Sequence, residues 1–292
     1  MPVFNTAGKY GAGMSLEVLG QCLTDLNVDP DQVLISNKLG WYQSSLETLE
    51  PIFEKGIWWN LKNDAIQKIR YHGIIDCFEQ GNRLLGKYNA WLVSVHDPDE
   101  YLETAVDETD PEKSFEDILS SYRALNELKL EGKVNAIGIG SKDWKVIRRI
   151  TQCVELDWVM IANSLTVHSH PKGLITFIAE LSEKEITVIN SAVFTGRGLI
   201  GNNFYNYSKV DPEIESGRQL LAWRKQFVAL YEKFSTSPTE ACFNFGFNVK
   251  GILAVALNTS KPEKVKRNID MATKEIPQSF WDAMATNHLI QI

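Results

Sequence analysis

Seven short runs rich in apolar, β-favouring residues recur along the chain: Pro2–Ala7, Val33–Lys38, Ala90–His96, Ala136–Ser141, Trp158–Asn163, Ile186–Ala192 and Gly251–Leu257. Most are near-continuously apolar, the pattern of strands buried on both faces. Between them the apolar period lengthens to that of a helix. In Ser15–Leu26 the residues Leu16, Leu19, Leu23 and Leu26 share one stripe. In Ser114–Lys129 the stripe is Ile118, Tyr122, Leu125 and Leu128, and Gly132 then supplies a stop. Ser237-Pro238-Thr239-Glu240 reads as a capping box with proline at the first helical position. Ser260-Lys261-Pro262-Glu263 reads as a second box, directly after the last strand.

Strands alternating with helices predict a parallel sheet with right-handed crossovers. A doubly wound sheet and a closed barrel both satisfy that pattern. Two features favour the α/β barrel. No Gly-x-Gly-x-x-Gly run opens a helix near the start, so a dinucleotide fold of that type lacks its main signal. The polar residues Asn5, Lys38, His96, Ser141, Asn163 and Ser191 fall at the C-terminal ends of different strands, the face where barrel enzymes place their chemistry. Seven strands are recognised where a (β/α)8 barrel has eight. The expected architecture is therefore one barrel domain over residues 1–292, truncated at the N-terminus by its first βα unit. The least regular stretches are Gly40–Asn63, Asp97–Glu112 and Gly196–Glu215, long enough to carry function or mobility.

Composition changes this picture little. The chain has 292 residues, 44% hydrophobic and 23% charged, which suits one globular domain. A net charge of −7 argues against nucleic acid, which needs a clustered positive surface. The four cysteines form no Cys-x-x-Cys pair, so zinc and redox motifs are not expected, and small buried hydrophobes are. His168 and His170 lie two apart in an irregular loop without a third ligand, which does not make a metal site. No apolar stretch spans a bilayer, and Asn5, Lys9 and several glycines interrupt any leader-like run. The expectation is a soluble, cytoplasmic protein without membrane contact. An open barrel would expose a strand edge and invite self-association there.

The chemistry concentrates on Tyr10, Lys38 and His96. A tyrosine is a poor acid or base at neutral pH, since its free pKa is about 10. It becomes useful beside a cation that stabilises the phenolate. Each residue alone has a duller reading: a rim aromatic, a surface charge, a core histidine. Asp97 and Asp99 read as a solvated, proline-stiffened loop, and Trp58 and Trp59 as packing residues in a loop.

Taken in order, these pieces resemble the aldo-keto reductase superfamily. The matching motifs are Phe4-Asn5-Thr6-Ala7-x-x-Tyr10-Gly11, Ser36-Asn37-Lys38-Leu39-Gly40, Val95-His96-Asp97-Pro98-Asp99, Leu128-x-x-Glu131-Gly132-Lys133-Val134-x-Ala136-Ile137-Gly138, Phe194-Thr195-Gly196-x-Gly198-Leu199 and Pro262-Glu263-x-Val265-x-x-Asn268. The His-Asp-Pro-Asp run resembles the branch that oxidises aldoses, including L-fucose, D-threo-aldose and L-galactose dehydrogenases. The resemblance implies that Tyr10 is the general acid/base, that Lys38 lowers its pKa, and that His96 polarises the substrate oxygen. Asn5 stands where the family has an aspartate paired with the lysine, so one negative charge is gone. The resemblance also implies a nicotinamide cofactor, NAD or NADP. Asn163, with Ser141 and Ser191 nearby, matches the positions around the nicotinamide amide. Phe194, Thr195 and Gly196 match the loop over the pyrophosphate. Asn258, Thr259, Ser260, Lys264 and Asn268 match the region of the adenosine phosphate. NADP-specific relatives place a lysine and an arginine there; Asn258 and Lys264 hold those positions here, with Thr259 and Arg267 nearby, which tilts the expectation to NAD without excluding NADP. The implied reaction is oxidation of an aldose at C1 to its aldonolactone. The alternatives are a general aldehyde or ketone reductase using NADPH, and a degenerate barrel that binds cofactor or a partner without catalysis.

Overall fold

The computed structural model describes residues 1–108, 111–201, 203–206 and 208–291. The chain divides into two compact units, Met1–Val159 and Met160–Ile292. All seven expected runs form strands, trimmed by at most two residues at an end.

In the first unit, Val3–Ala7, Leu34–Leu39, Leu92–His96 and Ala136–Ser141 lie side by side in that order, all parallel. The register pairs Ala7 with Lys38, Lys38 with Ser94, and His96 with Gly140. Side chains alternate along a strand, so residues paired across strands share a face. One face therefore gathers Asn5, Ser36, Lys38, Ser94 and His96. The other gathers Ile35, Val93, Val95, Ile137 and Ile139, all of them buried.

The helix Pro111–Leu130 buries its expected stripe completely: Ile118, Tyr122, Leu125 and Leu128. Burial of one such side chain is worth about 1.5–3 kcal/mol. Tyr122 also donates its hydroxyl proton to the Gly138 carbonyl at 3.2 Å. Gly138 has no substitute, because a Cβ there would sit 2.2 Å from the Trp158 ring. The earlier helix, Met14–Asp25, buries Leu16 and Leu23, but Leu26 lies one residue past its end and is exposed.

Two stretches expected to be irregular are built. Within 40–63, Trp41–Ser45 forms a hairpin with Asn63–Gln67. Residues 98–108 are the helix Pro98–Glu108, with proline at its first position and Asp99 and Glu100 in its first turn. Both features suit a helix N-terminus; the end of this stretch, 109–110, lies outside the described residues.

In the second unit, Thr187–Ser191 pairs in parallel with Ile252–Ala256, with an irregularity between Ile252 and Ala254. The chain enters this unit within the strand Trp158–Ala162. Among the described residues five helices follow: Lys172–Glu183, Glu215–Lys233, Pro238–Asn248, Glu263–Asp270 and Gln278–Thr286. Phe227 and Phe280 are fully buried; Trp223 stacks on Phe227, while Tyr231, Phe234 and Trp281 meet the pair edge-on. The Ser237 capping box is present as expected. The box at Ser260 is not: the helix starts at Glu263 with Pro262 in the cap position and no capping side chain. Thr259 instead bonds the Lys261 backbone, which closes a turn before the helix. The stretch 196–215 holds the 3-10 turns Thr195–Ile200 and a short ribbon, Phe204–Tyr205 with Ser208–Lys209.

Cys77 and Cys242 are buried, as expected of small hydrophobes, whereas Cys22 and Cys153 are exposed. Cys22 sits off the buried stripe of its helix, and Cys153 lies in the turn after Trp144–Ile150. Among the described residues no helix is long and apolar enough to cross a membrane.

Candidate active site

The first unit brings Tyr10, Lys38 and His96 together. Tyr10 follows the strand Val3–Ala7 in a turn fixed by its N–H bond to the Ala7 carbonyl at 3.1 Å. Left-handed backbone at Gly11, Ala12 and Gly13 then turns the chain into the next helix. Lys38 is next to last in its strand and reaches back across the pair. Its Nζ donates to the Thr6 carbonyl at 3.1 Å and lies 4.6 Å from the centre of the Tyr10 ring. His96 closes the third strand and meets Tyr10 edge-on, with ring centres 5.5 Å apart at 88°.

Burial sets the protonation states. Lys38 is 4% exposed, and desolvation draws its pKa from 10.5 down to about 8 against the opposing charge of Asp97. A cation so placed favours a phenolate on Tyr10. His96 is held well below its usual range, first by burial and then by the cations Lys38, Lys9 and Lys142, so its imidazole is neutral at pH 7. Its Nδ1 has no hydrogen-bond partner, and its Nε2 lies 3.6 Å from Asp97 Oδ2. Ser36 Oγ and Ser94 Oγ, on the same sheet face, are likewise buried without a partner. Asn5 is exposed and sits mid-strand, two residues before Ala7. The Lys38 amine donates to backbone, at Thr6.

A charged collar surrounds this cluster. Buried Lys9 pairs with Glu100 at 2.8 Å and Glu54 at 3.1 Å, and Lys142 pairs with Glu100 as well. Glu54 also accepts the Trp58 indole N–H. Asp64 pins the same segment, accepting the N–H groups of Ile52, Phe53 and Ala65. Trp41, Phe53 and Trp58 pack on Ala12, Leu61 and Ala65, while Trp59 stays exposed. The loop reading of Asp97 and Asp99 fails here. Asp99 is buried and accepts the N–H groups of Lys142 and Asp143 at 3.1 and 2.9 Å. Asp97 is pushed up to about 6, chiefly by burial and then by Glu100. Sequence reasoning assigned no role to Lys9, Glu54 or Glu100 and placed Asp97 in a solvated loop. The signal available for Lys9 was its place inside the tyrosine motif.

Ser141 is buried at the end of its strand and donates to the Asp143 carbonyl at 3.4 Å. In the second unit, Asn163 takes a left-handed turn and bonds the Ser191 carbonyl through its N–H at 3.2 Å. Its side-chain Oδ1 is buried without a partner. Ser191 Oγ donates to the Ile161 carbonyl at 3.3 Å. Phe194 is right-handed; Thr195, Gly196 and Arg197 after it are left-handed. Such a reversal makes a concavity of N–H groups suited to anions. Thr195 is fully buried and its Oγ1 has no partner. Asn258, Thr259, Ser260 and Lys264 are exposed, and Asn268 is half-buried. His168 and His170 are tied to Tyr205 and to the Thr166 carbonyl, respectively, and serve the local packing.

The sequence matches the Aldo/keto reductase family over residues 1–286. The chain belongs to that family. Aldo/keto reductases are oxidoreductases that use nicotinamide nucleotides. Two curated relatives are each 23% identical over 98% of this chain and 84% of their own: pyridoxal 4-dehydrogenase of Microbacterium luteolum and D-threo-aldose 1-dehydrogenase of a Pseudomonas species. Among solved structures, a glycerol dehydrogenase of Gluconobacter oxydans is 18% identical, with a TM-score of 0.66 over 99% of this chain and 83% of that one. An aldo-keto reductase of Bacillus halodurans in its holo form is 17% identical, with a TM-score of 0.64 over 99% and 82%. These likenesses establish the fold, α/β of the (β/α)8 barrel type, as the strand and helix pattern implied.

Proposed function

We propose that this aldo/keto reductase oxidises the anomeric C1 hydroxyl of an aldose, of the L-fucose or L-galactose kind, to the aldonolactone with NAD. The observation that carries the reading is the Lys38 ammonium 4.6 Å from the Tyr10 ring, with neutral His96 edge-on to it. Held as phenolate by Lys38, Tyr10 takes the hydroxyl proton while C1 gives up its hydride and the C1–O bond becomes the lactone carbonyl. His96 hydrogen-bonds the reacting oxygen and stays uncharged, so it does not compete with Lys38 for the phenolate. Positioning and fixed charge supply the rate.

A nicotinamide, when bound, would supply the hydride acceptor. The residues present fit it, since Asn163 Oδ1 and Thr195 Oγ1 are buried polar atoms without partners. Asn163 would hold the carboxamide, with Ser141 and Ser191 beside that role. Phe194, Thr195 and Gly196 would hold the pyrophosphate. Asn258, Thr259, Ser260, Lys264 and Asn268 would meet the adenosine end, where one lysine without the bidentate fork of an arginine favours NAD over NADP.

A second reading is an aldehyde or ketone reductase running with NADPH; pyridoxal 4-dehydrogenase, at the same 23% identity as the aldose enzyme, supports only a substrate other than a sugar. Initial rates with L-fucose, L-galactose and D-arabinose against NAD⁺ and NADP⁺, and with aldehydes against NADPH, separate the two. Aldose-dependent NAD⁺ reduction supports the proposal; aldehyde reduction by NADPH without any aldose oxidation replaces it with the second reading.

A further inference from the structure

Lysine is almost never fully buried unless it is paired. Lys9, the residue before Tyr10, has a side chain 9% exposed and is paired twice. Its Nζ lies 2.8 Å from Glu100 Oε2 and 3.1 Å from Glu54 Oε1, and 5.3 Å from the centre of the Trp41 ring. These partners come from different stretches of chain. Trp41 opens the hairpin after the strand of Lys38, and Glu54 lies between the hairpin strands. Glu100 stands in the first turn of Pro98–Glu108, the helix that follows His96 and Asp97. Both carboxylates are also held from elsewhere: Glu54 by the Trp58 indole N–H, and Glu100 by Lys142, which follows Ser141. The turn that carries Tyr10 is pressed against the hairpin. A Cβ on Gly8 would sit 2.5 Å from the Trp41 carbonyl, and Gln43 Nε2 donates to the Ala12 carbonyl at 2.8 Å. With Gly11 and Gly13 at φ 61° and 87°, this turn has a permissive backbone. Its position therefore depends on what grips it from outside.

We propose that Lys9 is the positioning residue for Tyr10. Through Glu100 it fixes the Tyr10 ring against His96, and through Glu54 it holds the hairpin segment to the same turn. The inference rests on the aldo/keto reductase reading of Tyr10 as the base. The bridge from Lys9 to Glu100 joins the residue before Tyr10 to the helix after His96, so it spans the same gap as the edge-on contact of the two rings, 5.5 Å at 88°. Lys142 extends the tie to the end of the next strand. Lys9 and Lys142 balance Glu54 and Glu100, so the network adds no net charge beside the phenol. Lys38 remains the cation that favours the phenolate, and Lys9 acts by placement. Without Lys9, two carboxylates that share one ammonium repel each other, and the turn loses its grip on both neighbours.

The test compares Lys9→Met, Lys9→Arg, Glu100→Gln, Glu54→Gln and the double variant Lys9→Met/Glu100→Gln, each checked for a cooperative thermal transition. The two glutamine variants keep side-chain size and carry the test if Lys9→Met fails to fold. Placement is read without substrate, from the NMR signal of the His96 imidazole protons, which the edge-on Tyr10 ring displaces; Tyr10→Ala marks its position with the ring gone. Turnover of L-fucose or L-galactose with NAD⁺ is read in parallel and split into kcat and KM. A misplacement of about 1 Å costs up to about 10²-fold in rate. Lys9→Met and Glu100→Gln should therefore lower kcat about 10–10²-fold, leave KM for NAD⁺ unchanged, and move the His96 signal toward its position in Tyr10→Ala. Lys9→Arg keeps the charge and the donors and should restore both, and the double variant should be no worse than Lys9→Met. Glu54→Gln leaves the bridge to Glu100 in place, so it should keep the His96 signal and open residues 51–58 to limited proteolysis. An unmoved His96 signal in Lys9→Met and Glu100→Gln overturns the proposal, as does a moved signal with unchanged kcat, or a loss of kcat that Lys9→Arg does not restore. The NMR arm needs no substrate: moved signals in a chain whose wild type does not oxidise aldoses support the tie and remove only the proposed reaction.

Discussion

Replacing Lys38 by methionine should make the protein more stable and nearly inactive. The amine is 4% exposed, and burial lowers its pKa from 10.5 to about 8. At pH 7 the wild type must bury a cation, and that shift corresponds to about 3 kcal/mol of lost stability. Methionine matches the length and volume without the charge. It also gives up the bond from Nζ to the Thr6 carbonyl, worth about 1 kcal/mol. The net expectation is a gain of about 2 kcal/mol, or a Tm higher by about 5 °C. The pH dependence has a definite sign. Because the folded pKa lies below the unfolded one, the unfolded chain binds more protons between pH 8 and 10.5, and wild-type stability rises through that window. The advantage of Lys38→Met should be full below pH 8 and gone above about 10.5. Activity moves the other way. A unit charge 4.6 Å from the Tyr10 ring is worth about 3.6 kcal/mol at an effective dielectric constant of about 20. Turnover should fall about 10²–10³-fold. Calorimetry across pH and steady-state rates measure both effects. A variant that is less stable at pH 7, or whose advantage does not change with pH, refutes the argument that Lys38 is held as a strained buried cation.

Three further outcomes follow from other parts of the structure. Tyr10→Phe should lower turnover by about 10²–10⁴-fold with nucleotide binding, read by fluorescence quenching, unchanged. Asp64→Ala removes a buried acceptor of three N–H groups, so it should cost about 2–4 kcal/mol in urea unfolding and open residues 51–60 to limited proteolysis. Ser237→Ala breaks the capping box of Pro238–Asn248 and should cost about 1 kcal/mol, seen as a lower urea midpoint with an unchanged slope.

The seven strands were legible because each is a short run rich in apolar, β-favouring residues, and the central ones, such as Leu34–Leu39 and Trp158–Ala162, are buried on both faces. The helix Pro111–Leu130 was legible for a similar reason, since its stripe repeats over about three turns. The helix Pro98–Glu108 was not, because its proline and acidic residues were read as loop chemistry when they equally describe a helix N-terminus. Ser260 misled in the opposite way: its spacing imitates a cap, but Thr259 closes a turn first and the helix waits until Glu263. Tyr10, Lys38 and His96 could be named from their motifs, yet the charges around them could not. Lys9, Glu54, Asp97 with Glu100, and Lys142 come from four stretches of chain; the parallel register of the strands, the turn after Ala7 and the segment between the hairpin strands bring them together.

The central claim is hydride transfer from a sugar C1 with Tyr10 as the base, and deuterium tests it most directly. Folded protein is given NAD⁺ and L-fucose or L-galactose deuterated at C1, and the nicotinamide product is weighed by mass spectrometry for wild type and Tyr10→Phe. The product should gain one deuterium in the wild type, and turnover should fall by about 10²–10⁴-fold in the variant. A product without the label, or equal turnover by Tyr10→Phe, would contradict that claim.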